Sequence, residues 1–221
     1  MAKYTKVKIF NMALKNLGVS VGLQSTSQTD RNTVVLNEYY DTAREKTLAD
    51  HDWSFASAFR ELTPTGNTSM HPKFAYEYDY PNNCVFIREV WLYQEKDGTD
   101  DSAISFYNMI SDYGSGSNID KVEFEVASDE DGNKIIYTNV EPALVRFTRL
   151  VSEEVYYPPE FVMALSWYLA FLAAPAVTGA RVKTSDCLQI YKKMLSEAAV
   201  ADSNELYKKD EYECDWIEAR N

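Results

Sequence analysis

An α+β fold is predicted: an antiparallel bundle of about four helices, with a β-rich antiparallel insertion between the second and third. Two observations carry this. Apolar residues recur at helical spacing near both ends of the chain, and between them the pattern changes to a period of two. The predicted division is 1–57 and 158–207 for the helical bundle domain, 58–157 for the β-rich insertion, and 208–221 for a C-terminal tail. A chain of 221 residues is long enough for such a pair of units.

The first helix is expected from about Thr5 to Leu17. Phe10, Ala13, Leu14 and Leu17 form its apolar stripe, and Gly18 stands where a C-terminal cap belongs. A polar loop follows. Ser27 or Thr29 is expected to cap the second helix, with Asp30 in its first turn. That helix reads from Arg31 to about Asp50, with Leu36, Tyr40, Ala43 and Thr47 on one face.

From Phe59 the period changes. Phe74 to Tyr80, Cys84 to Tyr93, Val122 to Val126, Lys134 to Thr138 and Ala143 to Leu150 read as strands. In the last of these, Val145 and Phe147 are expected on one face and Arg146 and Thr148 on the other. Ser128 to Asn133 is a turn, and Gly114 to Ser117 a flexible connection.

Helix returns after Pro158-Pro159, since proline is well tolerated in a first helical turn. Phe161 to Val177 carries no charge over 17 residues. A membrane span needs about 20 apolar residues, and Pro175 and Gly179 interrupt this stretch, so a buried central helix is expected. The last helix runs from about Thr184 to Tyr207, its apolar face built from Cys187, Leu188, Tyr191, Met194, Leu195 and Ala198. The tail carries Tyr212, Trp216 and Ile217, anchors that a solvated tail usually lacks.

Charge narrows the function. The net charge is −12, from 34 acids against 22 bases, which disfavours a DNA-reading protein because such binding relies on Lys and Arg neutralising phosphates. Gln94 to Ile135 holds 11 of the acids and 3 bases, so the acidity is concentrated in the insertion. Cys84, Cys187 and Cys214 are odd in number and widely spaced, which suits free thiols in a reducing compartment. Lys3, Lys6 and Lys8 interrupt the N-terminus, and no signal peptide is expected.

The stretch Leu48 to Ser57, LADHDWSFAS, looks at first like a metal or catalytic site. Asp50, His51 and Asp52 are consecutive, however, and neighbours on a helix point about 100° apart. They do not close readily on one ion. The only other histidine is His71, and no Gly-x-Ser-x-Gly elbow is present. Asp129 to Asn133 departs from a calcium loop, because glycine falls at the fourth place and Val140 occupies the twelfth. A hairpin turn on Asp131-Gly132 is expected instead. No phosphate-binding glycine motif exists. The expectation is no enzyme, no catalytic residue, no metal and no cofactor. LADHDWSFAS then reads as a helix end, with Trp53 and Phe55 turning into the seam between the helices and the insertion.

An ordered series of short motifs carries a family resemblance. Asn11-Met-Ala-Leu14 with Leu17-Gly18 opens it. Tyr40-Asp41-Thr42-Ala43-Arg44, Trp53-Ser-Phe-Ala56, Arg60-x-Leu62 and Tyr78-Asp-Tyr-Pro81 before Cys84 follow. Pro159-x-Phe161, Ala164-Leu165 and Leu169-Ala170 close it. The series resembles the tail tubular protein A family of short-tailed bacteriophages, the head-to-tail adaptor or connector. The match is strongest over residues 8–62 and 158–200. Three departures from the family pattern are an acidic helix end before Trp53, Asn82-Asn83 ahead of Cys84, and Pro175 inside the long apolar helix.

The resemblance implies a structural virion protein of the tail or neck, made in the bacterial host cytoplasm. Such adaptors form a homo-oligomeric ring, typically of twelve copies, joining the portal protein to the tail nozzle protein and, in some phages, to tail fibres. DNA passes through without specific binding, and no membrane is involved. Trp53, Phe55, Tyr40 and Arg44 are the expected structural anchors. Tyr207, Tyr212 and Trp216 are the expected contacts to portal or to a neighbouring subunit, being aromatic anchors of the kind found at interface hot spots. Part of the acidic insertion is expected to face the channel, where it would repel phosphate, or the nozzle. The alternatives are another neck, head-completion or tail-terminator protein, and, from a different class, a hydrolase acting through its acidic residues.

Overall fold

Residues 4–20, 22–92, 122–179 and 181–205 are described by the computed structural model, and among them are four helices and two small antiparallel sheets. The class is α+β.

Helix α1 spans Lys6–Asn16. It starts where Thr5 Oγ1 accepts the Lys8 N–H at 3.3 Å, and it stops where Gly18 takes a φ of 76°. Helix α2 spans Arg31–Asp50. Its cap corrects the expectation: Asp30, not Ser27 or Thr29, accepts the Thr33 N–H (3.2 Å) and hydroxyl (2.6 Å). A carboxylate suits this place, because the unpaired N–H groups and the helix dipole both favour negative charge there. The Thr33 bonds hold the Asp30 carboxyl below its ordinary pKa.

Helix α3 spans Pro159–Thr178 and opens with proline at its first position. Pro175 lies in its last turn with its ring exposed, so the missing N–H costs the helix only the bond that would end on Phe171. Gly179 then ends the helix in the left-handed region, its N–H bonded to the Pro175 carbonyl at 3.2 Å. Helix α4 spans Arg181–Glu205.

Six strands lie between α2 and α3. β1 (Ser57–Glu61), β6 (Ala143–Arg149) and β3 (Cys84–Leu92) form one sheet in the order β1-β6-β3. β2 (Tyr76–Asp79), β5 (Lys134–Thr138) and β4 (Phe124–Ser128) form the other, in the order β2-β5-β4. In the second sheet Tyr78, Ile136 and Val126 share a row, and Glu77, Tyr137 and Glu125 share the next. These rows fall on opposite faces. The β4–β5 turn is the expected hairpin: Gly132 has a φ of 85°, and the Asp129 carboxylate takes the Asn133 N–H at 2.7 Å.

β6 departs from the expected alternation. Ala143, Leu144, Val145, Phe147 and Thr148 are all buried. A central strand covered on both faces loses the simple in-and-out pattern.

The chain divides into two compact units. The helical unit takes the residues up to Ala58, then Asn83–Arg88 and Phe147–Glu205. The other takes Phe59–Asn82 and the described part of Glu89–Arg146. In the helical unit α3 packs against α1, α2 and α4. Phe161, Val162, Ala164, Leu165, Leu169, Ala170, Ala173 and Ala174 are all buried on it, which explains a helix so apolar that it is long enough to cross a membrane by length and composition. In the β-rich unit Leu62, Phe74, Tyr78, Ile135 and Ile136 are buried, and Phe59 stacks on Trp91 with ring centres 5.8 Å apart.

Candidate functional site

The LADHDWSFAS stretch is the end of α2, and its polar groups are occupied in holding that end. The last carbonyls of a helix lack intrahelical partners and carry the negative end of its dipole. Arg88 on β3 answers both needs. One of its terminal nitrogens lies 3.2 Å from the Leu48 carbonyl, 3.0 Å from that of Ala49 and 2.6 Å from that of His51. Two N–H groups thus serve three carbonyl oxygens. Arg88 Nε donates to Thr148 Oγ1 at 2.8 Å and lies 3.7 Å from the Asp52 carboxylate. The guanidinium also covers the Phe86 ring at 4.6 Å.

The three polar residues of the stretch have separate partners. Asp50 accepts the Tyr191 hydroxyl at 2.7 Å and pairs with Lys46 one turn earlier. His51 packs edge-on to Trp53 at 4.7 Å. Asp52 faces Arg88. They are not assembled on one point, and among the described residues no group of three or more His, Cys, Asp and Glu side chains is placed to hold a metal ion.

Trp53 is 2% exposed. Its indole N–H donates to the Thr47 carbonyl at 2.8 Å, and its ring meets Phe161 edge-on at 5.1 Å and Phe55 at 6.1 Å. Phe55 in turn contacts Phe161 and Tyr157. The aromatic neighbours of Trp53 all belong to the helical unit. That qualifies the seam expected for it: the ring anchors the bottom of the helical core.

Tyr40 and Arg44 form a second cluster with residues near the start of α3. The buried Tyr40 hydroxyl donates to Glu154 at 2.9 Å, and its ring lies against Phe10 and under Lys6 Nζ at 4.6 Å. Arg44 pairs with Asp41 at 3.0 Å. Tyr157 donates to the Val151 carbonyl at 2.9 Å. Asn11 of the first motif uses its amide twice on one residue, accepting the Leu23 N–H at 2.6 Å and donating to the Leu23 carbonyl at 2.9 Å. It fixes the loop that leads to α2.

Burial pushes the Tyr157 hydroxyl up to about 12, and it pushes Tyr40 and Tyr191 further in the same direction, with the Asp50 bond adding to the rise at Tyr191. A raised tyrosine is neutral in the fold where the unfolded chain, near 10, has begun to ionise. The stability it contributes is complete below about pH 10 and is lost as pH rises through the folded value. Alkaline titration followed by tyrosinate absorbance and circular dichroism is expected to show these hydroxyls ionising together with loss of helix. Full ionisation with the helices intact would contradict their burial.

His71 has partners on both ring nitrogens. Its Nδ1 accepts the Lys73 N–H at 3.1 Å, its Nε2 lies 3.3 Å from Glu125, and its ring lies against Phe74 and Tyr137. It holds a loop in the β-rich unit.

Arg88, Tyr191, Glu154 and Thr148 were not among the expected anchors. A lone arginine inside the apolar run CVFIREVW was the available cue for the first. Tyr207, Tyr212 and Trp216 lie outside the described residues, as does most of the acidic stretch from Gln94. The helical unit also carries a surface pocket of about 260 Å³, between the end of α1, α3 and the start of α4. No family model matches the chain, and no curated protein matches it.

Proposed function

We propose that this chain is a head-to-tail adaptor of a short-tailed bacteriophage, a structural virion protein that joins portal to nozzle in a ring through which DNA passes. The order and spacing of the motif series from Asn11 to Ala170 carries this reading. The residues that make up the series are supportive in kind. Tyr40, Trp53, Phe161, Ala164, Leu165, Leu169 and Ala170 are buried in one helical core, Asn11 ties α1 to the loop before α2, and Arg44 pairs with Asp41 one turn away on α2. They serve architecture and not chemistry. In this reading the four helices form an antiparallel bundle and the six strands an insertion between the second and third helices. Trp53, Phe55, Tyr40 and Arg44 act as its anchors. Part of the acidic insertion faces the channel or the nozzle, and Tyr207, Tyr212 and Trp216 dock on portal or on a neighbouring subunit.

The test is electron microscopy of the purified protein mixed with its portal. Rings seated on the portal are expected, and a portal that remains bare overturns the reading. Deleting Lys208–Asn221 is expected to leave a protomer with unchanged circular dichroism that no longer joins the portal. Normal assembly by the truncated chain would remove the tail from the interface.

A further inference from the structure

We propose that His71 is a pH-sensitive clasp, which holds the turn of its own loop only while its ring is neutral and stays on the sheet in either state. The geometry fixes the tautomer. Nδ1 accepts the Lys73 N–H at 3.1 Å, so it carries no proton. A neutral imidazole has one proton, which then sits on Nε2, 3.3 Å from the Glu125 carboxylate. Nδ1 thus serves the loop, and Nε2 serves β4.

Protonation acts on the two contacts in opposite ways. A charged imidazole donates from both nitrogens and accepts at neither. At Nδ1 donor then meets donor, and the Lys73 bond is lost. At Nε2 the contact with Glu125 becomes charge-assisted and strengthens. The other groups around the ring accept a cation. Phe74 and Tyr137 flank it with ring centres at 4.9 and 5.0 Å, and aromatic faces attract positive charge. Glu77 and Asp129 act on the Tyr137 hydroxyl. Lys73 brings a like charge on the loop, but its ammonium is paired with Glu123 at 2.6 Å.

The loop does not come apart when the clasp opens. Ser69 Oγ donates to the Phe74 carbonyl at 2.6 Å and accepts the His71 N–H at 3.3 Å, and neither bond titrates. Phe74 is buried, and the Ala75 N–H is held by Asn139 at 2.9 Å. The change is confined to the turn from His71 to Lys73, next to Met70, whose side chain is 92% exposed. Histidine is the side chain that ordinarily changes charge between about pH 5 and 8. Acidification over that range therefore reshapes one exposed surface of the β-rich unit without unfolding it. The clasp rests on nothing in the adaptor reading.

Nuclear magnetic resonance of the full-length, nitrogen-15-labelled chain at about pH 8 and about pH 5 tests it. At the upper pH the His71 ring is expected as the Nε2–H tautomer, with a through-bond nitrogen–nitrogen coupling between Lys73 N and His71 Nδ1. At the lower pH that coupling is expected to vanish. The Lys73 amide is then expected to exchange about fivefold faster, once the intrinsic pH dependence is divided out, as the loss of one hydrogen bond implies. Cross-relaxation between the His71 and Tyr137 rings is expected to persist. His71→Asn is the control, since its Oδ1 takes the place of Nδ1 and does not titrate, so its Lys73 amide is expected not to respond to pH. An Nδ1–H tautomer at the upper pH overturns the proposal. So does a ring still neutral at the lower pH, a charged ring with the Lys73 amide unchanged, or a charged ring that leaves Tyr137. A Lys73 amide that responds equally in His71→Asn assigns the change to another group and overturns it too. Should that variant not fold, the wild-type measurements decide alone.

Discussion

Replacing Trp53 by alanine is expected to destabilise the helical unit by about 3–5 kcal/mol. The side chain is large and 2% exposed, so its removal deletes transfer energy and leaves a cavity. The cavity opens beside Phe161 and Phe55, and the edge-on contact with Phe161, of a kind worth about 0.5–1.5 kcal/mol, is lost together with the tilted contact with Phe55. The Thr47 carbonyl also loses the indole N–H. Chemical denaturation of the variant measures the loss directly. Wild-type stability would mean that the ring is not a core anchor, and would reopen a surface role for this stretch.

Arg88→Met is expected to cost about 2–4 kcal/mol, on the scale of hydrogen bonds made by charged donors. Methionine roughly keeps the stem and removes the fork, so the effect isolates the polar contacts. The carbonyls of Leu48, Ala49 and His51 lose a donor at the helix end, and Thr148 Oγ1 loses its Arg88 bond inside the structure. Arg88→Lys is expected to recover only part of this, because an ammonium keeps the charge but cannot span Thr148 and three carbonyls at once. Besides a lower denaturation midpoint, amide exchange in the last turn of α2 is expected to speed up in Arg88→Met. Exchange unchanged there would show that the arginine is not what holds the helix end.

The helices were largely legible in the sequence. Helix α2 spans Arg31–Asp50 as read, because Leu36, Tyr40, Ala43 and Thr47 repeat at helical spacing and all four are buried. Its cap was not, since Ser27, Thr29 and Asp30 are all good capping residues and only the path of the loop chooses among them. The run Ser57–Glu61, SAFRE, was not legible as a strand. It contains no β-branched residue, and its place beside β6 supplies what local propensity does not. Thr148 was expected on the face opposite Val145 and Phe147, and it lies at 0% exposure as Val145 does, since alternation does not reveal which strand is central.

The candidate site divides in the same way. Trp53 and Tyr40 announce themselves as aromatic residues next to or within an apolar stripe. The partners that explain Asp50 and Asp52 do not, because Tyr191 lies 141 residues from Asp50 and Arg88 reaches back 37 to 40 residues to the end of α2. Contacts at such separation leave no local pattern. Consecutive ionisable residues were a poor guide to chemistry here, since each is held by a different part of the structure.

The helical unit is assembled from both ends of the chain, and this sets the order in which it can be built on the ribosome. Helices α1 and α2 emerge first, but the face on which Ile9, Phe10, Leu14 and Leu36 close is completed by α3. Over a hundred residues separate the end of α2 from the end of α3. At typical rates of synthesis that delay is on the order of ten seconds. Throughout it the first two helices present an apolar surface that the central helix has yet to cover.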